Sequence, residues 1–142
     1  MAILLDTNVI SETFKPQPEV KVASWLASIP IDQLFVSSIT KAELLYGLAL
    51  LPDGKRKEAL ATVIEEFLER WVANPIESFD ERDAVAYARI SAHRRKIGHK
   101  IRELDAQIAS IAMTRGFAVA TRNVWDFEDC GLTVINPWDA AP

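Results

Sequence analysis

Short apolar runs alternate with helix-like stretches along this chain, and that alternation constrains the fold more than any other feature. The apolar runs predict strands at 2–5, 34–37, 117–121 and 132–135, with a shorter candidate at 76–79. Amphipathic patterns predict helices at 19–28, from Thr40 to Leu51, and at 55–71, 81–96 and 102–115. Strands that alternate with helices usually pair in parallel. We therefore predict an α/β fold, a three-layer sandwich whose central, mostly parallel sheet of about four to five strands is flanked by helices.

Length and composition bound the kind of protein. The 142 residues fit a single domain, 1–142. Cys130 is the only cysteine, which excludes an intrachain disulfide and favours a reducing, cytoplasmic location. The first residues lack the basic segment of a signal peptide, and no apolar stretch approaches the roughly 20 residues that span a membrane.

The charge distribution leaves two interpretations open. The formal net charge of −4 argues against polyanion binding by the whole surface. Basic residues are nevertheless concentrated in one segment that has no acid between its ends: Arg89, Arg94, Arg95, Lys96, Lys100 and Arg102. This basic strip is either a solvated helix face or a surface that steers phosphates.

Four carboxylates stand next to predicted strand ends and helix starts: Asp6, Glu43, Asp105 and Asp126. In a parallel sheet such positions lie along one edge, where ligands bind. Four acids gathered there would repel one another by about 4 kcal/mol per pair at roughly 4 Å and an effective dielectric near 20. A divalent cation removes that repulsion, and carboxylate oxygens suit Mg²⁺ or Mn²⁺.

Each acid also has a purely structural explanation. Asp6 fits a turn or helix N-cap, and Glu43 fits a capping box with Thr40, which would place it in the first turn of its helix. Asp126 fits a surface loop. Asp105 differs, because it shares the apolar helix face of Ile101 and Ile108 and needs a partner such as a cation or Arg102.

Neighbouring polar residues extend this pattern. Thr7 and Asn8 follow Asp6, and Thr121 and Asn123 precede Asp126, so all four are candidates to bind a carboxylate, a metal-bound water or a phosphate oxygen. Neither a cysteine-based nucleophile nor a glycine-rich phosphate loop is indicated. The four tryptophans are expected in the core or at interfaces, and not as platforms for base stacking.

At these residues the chain resembles the PIN-domain ribonucleases, especially the VapC and FitB toxins of type II toxin–antitoxin pairs. The resemblance rests on Leu-Leu-Asp-Thr-Asn-Val-Ile-Ser-Glu from position 4, Ser-Ser-Ile-Thr-Lys-Ala-Glu-Leu-Leu-Tyr-Gly from position 37, Leu-Asp-Ala-Gln-Ile-Ala from position 104, and Ala-Thr-Arg-Asn-Val-Trp-Asp-Phe from position 120. It implies a PIN-like fold and a Mg²⁺- or Mn²⁺-dependent endoribonuclease with the metal on the four acids. Asn123 and Asp126 are alternatives for the last ligand. It also implies a homodimer and a cognate antitoxin.

The hypothesis is that a metal-activated water cleaves RNA, with Arg89, Arg94, Arg95 and Lys96 steering the substrate. One alternative is a non-catalytic module that binds metal or RNA. Another is a phosphatase with Asp6 as nucleophile, although position 8 is Asn where such enzymes have a second acid. A further expectation concerns the leucines of the helix after Thr40, which are too many for one inner stripe and indicate contact with a second subunit or an antitoxin helix.

Overall fold

The central sheet has four parallel strands. A computed structural model describes residues 1–140; residues 141 and 142 of the predicted domain lie outside the described part. The strands are β1 (Ile3–Leu5), β2 (Leu34–Phe35), β3 (Ala118–Ala120) and β4 (Val134–Ile135), in the order β2-β1-β3-β4. Ile3 aligns with Leu34 on one side and with Ala118 on the other, and Val119 aligns with Val134. The predicted α/β fold is confirmed.

Helices cover both faces of this sheet. They are α1 (Thr7–Thr13), α2 (Val20–Ser28), α3 (Ser38–Ala49), α4 (Lys55–Glu66), α5 (Glu81–Lys96), α6 (Glu103–Arg115) and α7 (Val124–Phe127). A turn of π-helix, Phe67–Trp71, extends α4, and Gly116 ends α6 in the left-handed conformation with φ of 70°. Within residues 1–140, none of these helices combines the length and the apolar character needed to cross a bilayer.

The strands are apolar on both faces because the sheet separates two cores. Leu4 and Val119 point into one core, which they share with α5 and α6 residues such as Ile90 and Ile108. Ile3 and Leu5 alternate to the opposite face, into a second core with residues from α1 to α4. Side chains of successive strand residues point in opposite directions, so a buried sheet needs an unbroken apolar run. This explains why the opening residues contain no polar residue before Asp6.

One local prediction is wrong. Residues 76–79 do not form a fifth strand; Glu77 makes only an isolated parallel bridge to Ser37. The helix predicted at 55–71 is continuous to Trp71, with π-helical geometry after Glu66. Of the two structural explanations for Asp6, the N-cap is observed. The residues after it form α1, which was not predicted because Thr, Asn and Val are poor helix formers.

Candidate active site

The carboxyl ends of β1 and β3 bring the first site residues together. Asp6 follows β1 and Thr121 follows β3, and the backbone N–H of Asp6 donates to the carbonyl of Ala120 at 2.9 Å. Both residues are therefore held by the sheet itself, at the edge where the sequence predicts a site. Asp6 is also the N-cap of α1, as its structural explanation expects.

Asp6 is buried and surrounded by uncharged donors. One carboxylate oxygen accepts from the backbone N–H of Thr7 at 2.8 Å, and the other accepts from the Thr121 hydroxyl at 2.8 Å and from the Asn8 amide at 3.3 Å. Burial, with a smaller contribution from the nearby charges of Asp105 and Glu43, raises the pKa of Asp6 to about 6 despite these hydrogen bonds. The raised pKa indicates that this carboxylate lacks a sufficient positive partner.

This pKa predicts how stability depends on pH. In EDTA, the folded chain keeps the Asp6 proton up to about pH 6, whereas the unfolded chain releases it near pH 3.8. Rising pH therefore favours the unfolded state in this window. Relative to Asp6→Asn, the free energy of unfolding of the wild type should fall by up to about 3 kcal/mol and level off above pH 6. Urea unfolding of both chains from pH 4 to pH 7 measures the difference; a constant difference would contradict the prediction.

Glu43 reaches the site from the middle of α3. The N-cap of this helix is Ser37, whose hydroxyl accepts from the N–H of Thr40, so Glu43 is the sixth helical residue. The predicted capping box between Thr40 and Glu43 is therefore wrong. A Glu43 carboxylate oxygen instead accepts from the Thr7 hydroxyl at 2.7 Å. Thr7 thus joins the first turn of α1, beside Asp6, to the acid on α3.

Asp105 lies in the first turn of α6 and is only 5% exposed. The two isoleucines predicted to lie beside it are also buried: Ile108 is in α6, and Ile101 lies just before the helix begins. The Arg102 guanidinium donates from Nε to Asp105 Oδ2 at 2.9 Å, while most of the Arg102 side chain is exposed. That hydrogen bond, together with the charges of Asp126 and Glu43, raises the pKa of Arg102. Arg102 is therefore a cation that interacts with three of the four acids.

Asp126 lies in the short helix α7 and is half-buried. Its charge is one of those that raise the pKa of Arg102. Asn123, the alternative fourth ligand, is exposed and contributes its backbone N–H, which donates to the Thr121 hydroxyl oxygen at 3.0 Å. The choice of Asp126 or Asn123 as a metal ligand stays a prediction.

Arg94 is not an RNA-contacting residue, because it is 1% exposed. Its Nε donates to the carbonyl of His99 at 2.6 Å, and its NH1 donates to the carbonyls of Asp126 at 2.8 Å and Glu128 at 3.1 Å. The prediction that Arg94 steers RNA is therefore wrong. This guanidinium instead fixes the backbone that carries Asp126. Arg89, Arg95 and Lys96, the other predicted RNA-steering residues, are exposed.

Asn8 and Thr121 are hydrogen-bonded to each other and to the Asp6 carboxylate. The Asn8 amide donates to the Thr121 hydroxyl oxygen at 3.3 Å, and Asn8 Oδ1 accepts the backbone N–H of Arg122 at 3.1 Å. The side-chain nitrogen and oxygen of Asn8 therefore both bind the loop after β3 and join it to α1. An acid at this position, which the phosphatase alternative requires, is missing.

The oxygen atoms at this site are of the kind that binds a hard cation. They belong to carboxylate, hydroxyl and amide groups, the buried Asp6 lacks a cationic partner, and Asp105 and Glu43 oppose its ionisation. Within the described residues, however, no three His, Cys, Asp or Glu side chains already form a finished ligand cluster. Glu43 accepts a hydrogen bond from Thr7, and Asp105 accepts one from Arg102, so these two acids have separate partners. A shared cation would have to compete with Arg102.

A cleft of about 510 Å³ opens beside the acids, lined by Glu43, Lys100, Ile101, Arg102, Glu103 and Leu104. Lys100 and Arg102 belong to the basic strip, for which phosphate steering was one interpretation, although the residues singled out for RNA were Arg89, Arg94, Arg95 and Lys96. Lys100 and Arg102 flank Ile101, which is buried just before α6, so both cations lie at the rim of the cleft.

Known proteins are similar to this chain along nearly its whole length. A family model for the PIN domain matches residues 3–129. The plasmid stability protein StbB of Pseudomonas syringae pv. tomato is 46% identical, covering 97% of this chain and 99% of the relative. The VapC ribonuclease Y4jK of Sinorhizobium fredii is 40% identical, covering 98% and 99%. A solved structure of FitAB bound to the IR36 DNA fragment superposes with a TM-score of 0.92 at 39% identity, covering 99% and 98%.

Proposed function

The chain belongs to the PIN domain family, and we propose that it is an endoribonuclease, the toxin of a toxin–antitoxin pair, that hydrolyses phosphodiester bonds in RNA. The observation that carries this proposal is the buried Asp6, whose ionisation is opposed by Asp105 and Glu43 at the carboxyl edge of the sheet. Its similarity to a VapC ribonuclease supports the same reaction. Buried acids that repel one another are unfavourable for stability alone, and that favours a role in binding a cation.

We propose that Asp6, Glu43, Asp105 and Asp126 hold Mg²⁺ or Mn²⁺. When bound, the ion supplies an activated water and stabilises the charge that develops on the phosphate. Other residues of the chain hold these acids in position. Thr121 and Asn8 hold the Asp6 carboxylate in its orientation, Thr7 holds Glu43, and the buried Arg94 holds the backbone of Asp126. Exposed cations steer the substrate: Arg89, Arg95, Lys96, Lys100 and Arg102.

The direct experiment is cleavage of a labelled RNA by the purified chain. We expect cleavage with Mg²⁺ or Mn²⁺ and none with EDTA, because the acids alone provide no positive charge for the phosphate. A parallel sample of Asp6→Asn identifies contaminating nucleases, since these do not depend on residues of this chain. Equal cleavage by both proteins, or by the wild type with and without metal, would refute the proposed function. Metal binding without cleavage would favour the non-catalytic module.

Arg102→Gln is expected to increase affinity for Mn²⁺. The Arg102 guanidinium pairs with Asp105 at 2.9 Å, so it occupies the acid that the cation needs. Exposed ion pairs contribute up to about 1 kcal/mol, and removing this competitor should tighten binding by about two- to fivefold. Isothermal titration calorimetry with Mn²⁺ measures the change.

Lys100→Gln is the matched control for that titration. Lys100 lines the same cleft, but within residues 1–140 it forms no ion pair with an acid. It therefore changes the net charge as Arg102→Gln does, without freeing a ligand. An equal gain in affinity for both variants would mean that only overall charge matters. No gain for Arg102→Gln would show that Arg102 does not compete with the ion.

We further propose an antitoxin and a homodimer as partners, and the cytoplasm as the location. The surface of α3 and its C-cap supports a protein interface, because Leu45, Tyr46 and the C-cap residue Leu50 are exposed while Leu44 is buried. Such apolar side chains on one helix suit a partner helix. The cytoplasmic proposal rests on the single, buried Cys130. Light scattering at micromolar concentration tests self-association, and a monomer would count against the dimer.

A further inference from the structure

Trp125 is an exposed aromatic residue directly beside the candidate active site. It precedes Asp126 in α7, and 65% of its surface is accessible. One face of its indole is covered by the His99 ring, with 3.9 Å between ring centroids and 35° between ring planes. A single exposed aromatic residue is common on protein surfaces and has no meaning alone. Here, however, the ring is supported on one face and open on the other.

Arg94 holds the backbone next to the Trp125–His99 pair through hydrogen bonds. The Arg94 guanidinium donates to the carbonyl of His99 at 2.6 Å and to the carbonyl of Asp126 at 2.8 Å. One buried cation therefore holds the backbone of His99 and the backbone of the residue that follows Trp125. The His99 side chain is only 12% exposed, and its Nδ1 lies 3.8 Å from a carboxylate oxygen of Asp129. A ligand that stacks on Trp125 would meet a surface that is already ordered, which reduces the entropic cost of binding.

Positively charged residues lie on both sides of His99 in the chain. Lys100 and Arg102 follow His99 closely in the chain and line the cleft of about 510 Å³. Arg95 and Lys96 are exposed at the end of α5, just before His99. An open aromatic face combined with cations is the usual arrangement for single-stranded nucleic acid, in which bases stack and phosphates pair with Lys and Arg. Bases within a duplex are already stacked and do not present a free face.

We propose that Trp125, supported by His99, stacks on one base of single-stranded RNA that lies across the candidate active site. This inference rests on the proposed function and deepens it, because it adds a residue outside the acids that contacts a base of the substrate. Trp125 adjoins Asp126, so a base stacked there places its neighbouring phosphates at the acids. Base stacking also contributes favourable binding energy, which offsets the repulsion between the RNA phosphates and the acids.

The test compares RNA with and without bases. Hexaadenylate and a fully abasic hexamer carry the same phosphate charge and differ in stacking. Binding of each is measured by fluorescence anisotropy to the Asp105→Asn chain, which avoids cleavage, with Trp125 present or changed to Ala. We expect Trp125→Ala to weaken hexaadenylate binding by about 5- to 100-fold and to change abasic binding less than twofold. Trp125→Phe, which keeps an aromatic ring, should retain most of the affinity.

Trp71→Ala is the matched control, because Trp71 is equally exposed but lies in the π-helical turn Phe67–Trp71. That turn leads to Asn74, whose amide binds carbonyls at the beginning of β2, at the other edge of the sheet. We expect Trp71→Ala to change neither the affinity for hexaadenylate nor the affinity for the abasic hexamer. Three results would overturn the inference: equal affinity for hexaadenylate with and without the Trp125→Ala change, an equal loss for the abasic hexamer, or no binding by the chain that keeps Trp125.

A cleavage assay on the chains that retain Asp105 separates this inference from the proposed function. If RNA is cleaved with Mn²⁺ and Trp125→Ala changes neither kcat/KM nor hexaadenylate binding, the stacking site is refuted and the ribonuclease stands. If hexaadenylate binding depends on Trp125 but no RNA is cleaved under any metal condition, the ribonuclease is refuted and the stacking site stands. Thermal unfolding of each variant confirms that the fold is retained.

Discussion

Asp105→Asn should lower the rate of RNA cleavage by at least about 100-fold and leave the fold intact. Asp105 is 5% exposed on α6, and its ion pair is with the largely exposed Arg102, so removing its charge should cost the fold little. Changes to residues that only support metal ligands typically cost 10- to 100-fold in affinity or activity, and a direct ligand should cost more. Asn has the same shape, so the cores on both sides of the sheet remain filled. Initial rates with saturating Mn²⁺ measure the effect.

The matched control is Asp53→Asn, which makes the same chemical change on a fully exposed side chain in the loop between α3 and α4. It should cleave RNA at the wild-type rate. Mn²⁺ should also raise the unfolding temperature of wild type and Asp53→Asn, and not that of Asp105→Asn, because only a bound ligand stabilises the folded state. Full activity of Asp105→Asn would remove this acid from the catalytic site.

Arg94→Met should destabilise the fold by about 3 kcal/mol, the largest stability effect that we expect from one substitution near the site. The guanidinium is buried and donates to the carbonyls of His99, Asp126 and Glu128. Met fills similar space but leaves these acceptors without a donor, at about 1–3 kcal/mol each before water compensates. Such a loss corresponds to roughly 10 °C in the unfolding temperature of a domain this size. Urea and thermal unfolding measure it.

Arg95→Met is the neighbouring control. Arg95 belongs to the same helix turn but is exposed, so its loss should change stability by less than about 0.5 kcal/mol. It removes the same charge, which separates the effect of burial from the effect of net charge. Equal stability of both variants would show that the Arg94 hydrogen bonds contribute nothing, and the account of how Asp126 is positioned would then be wrong.

The fold was accessible from sequence because its strands leave a strong signal. The run before Asp6 is apolar on both faces, since Leu4 and Leu5 point into different cores. The α6 stop at Gly116 and the N-cap of α5 at Asp80 follow from local backbone chemistry, and both are observed. The short helix α1 was missed because its residues favour turns. Its formation depends on Asp6 as a cap and on packing of Val9 and Ile10 in the core.

The site was only partly accessible from sequence. The acids could be named, because strand ends in a parallel sheet converge on one edge. The contacts of each acid could not be predicted, because they join residues that are distant in the sequence. The hydrogen bond from Thr7 to Glu43, for example, joins residues 36 positions apart. Arg94 and Arg95 are equivalent in sequence, yet the helix rotation buries one and exposes the other. Trp125 was expected in the core or at an interface, because a tryptophan pattern does not report exposure.

The central claim is that Asp6, Glu43, Asp105 and Asp126 share one site for a hard cation. The most direct measurement is a crystal structure of the chain soaked in Mn²⁺, with the ion located by its anomalous scattering. We predict Mn²⁺ bound by oxygens of Asp6 and Asp105, with Glu43 or Asp126 also in contact and Arg102 displaced from Asp105. Mn²⁺ bound elsewhere, or none bound while Arg102 keeps its contact with Asp105, would contradict the account.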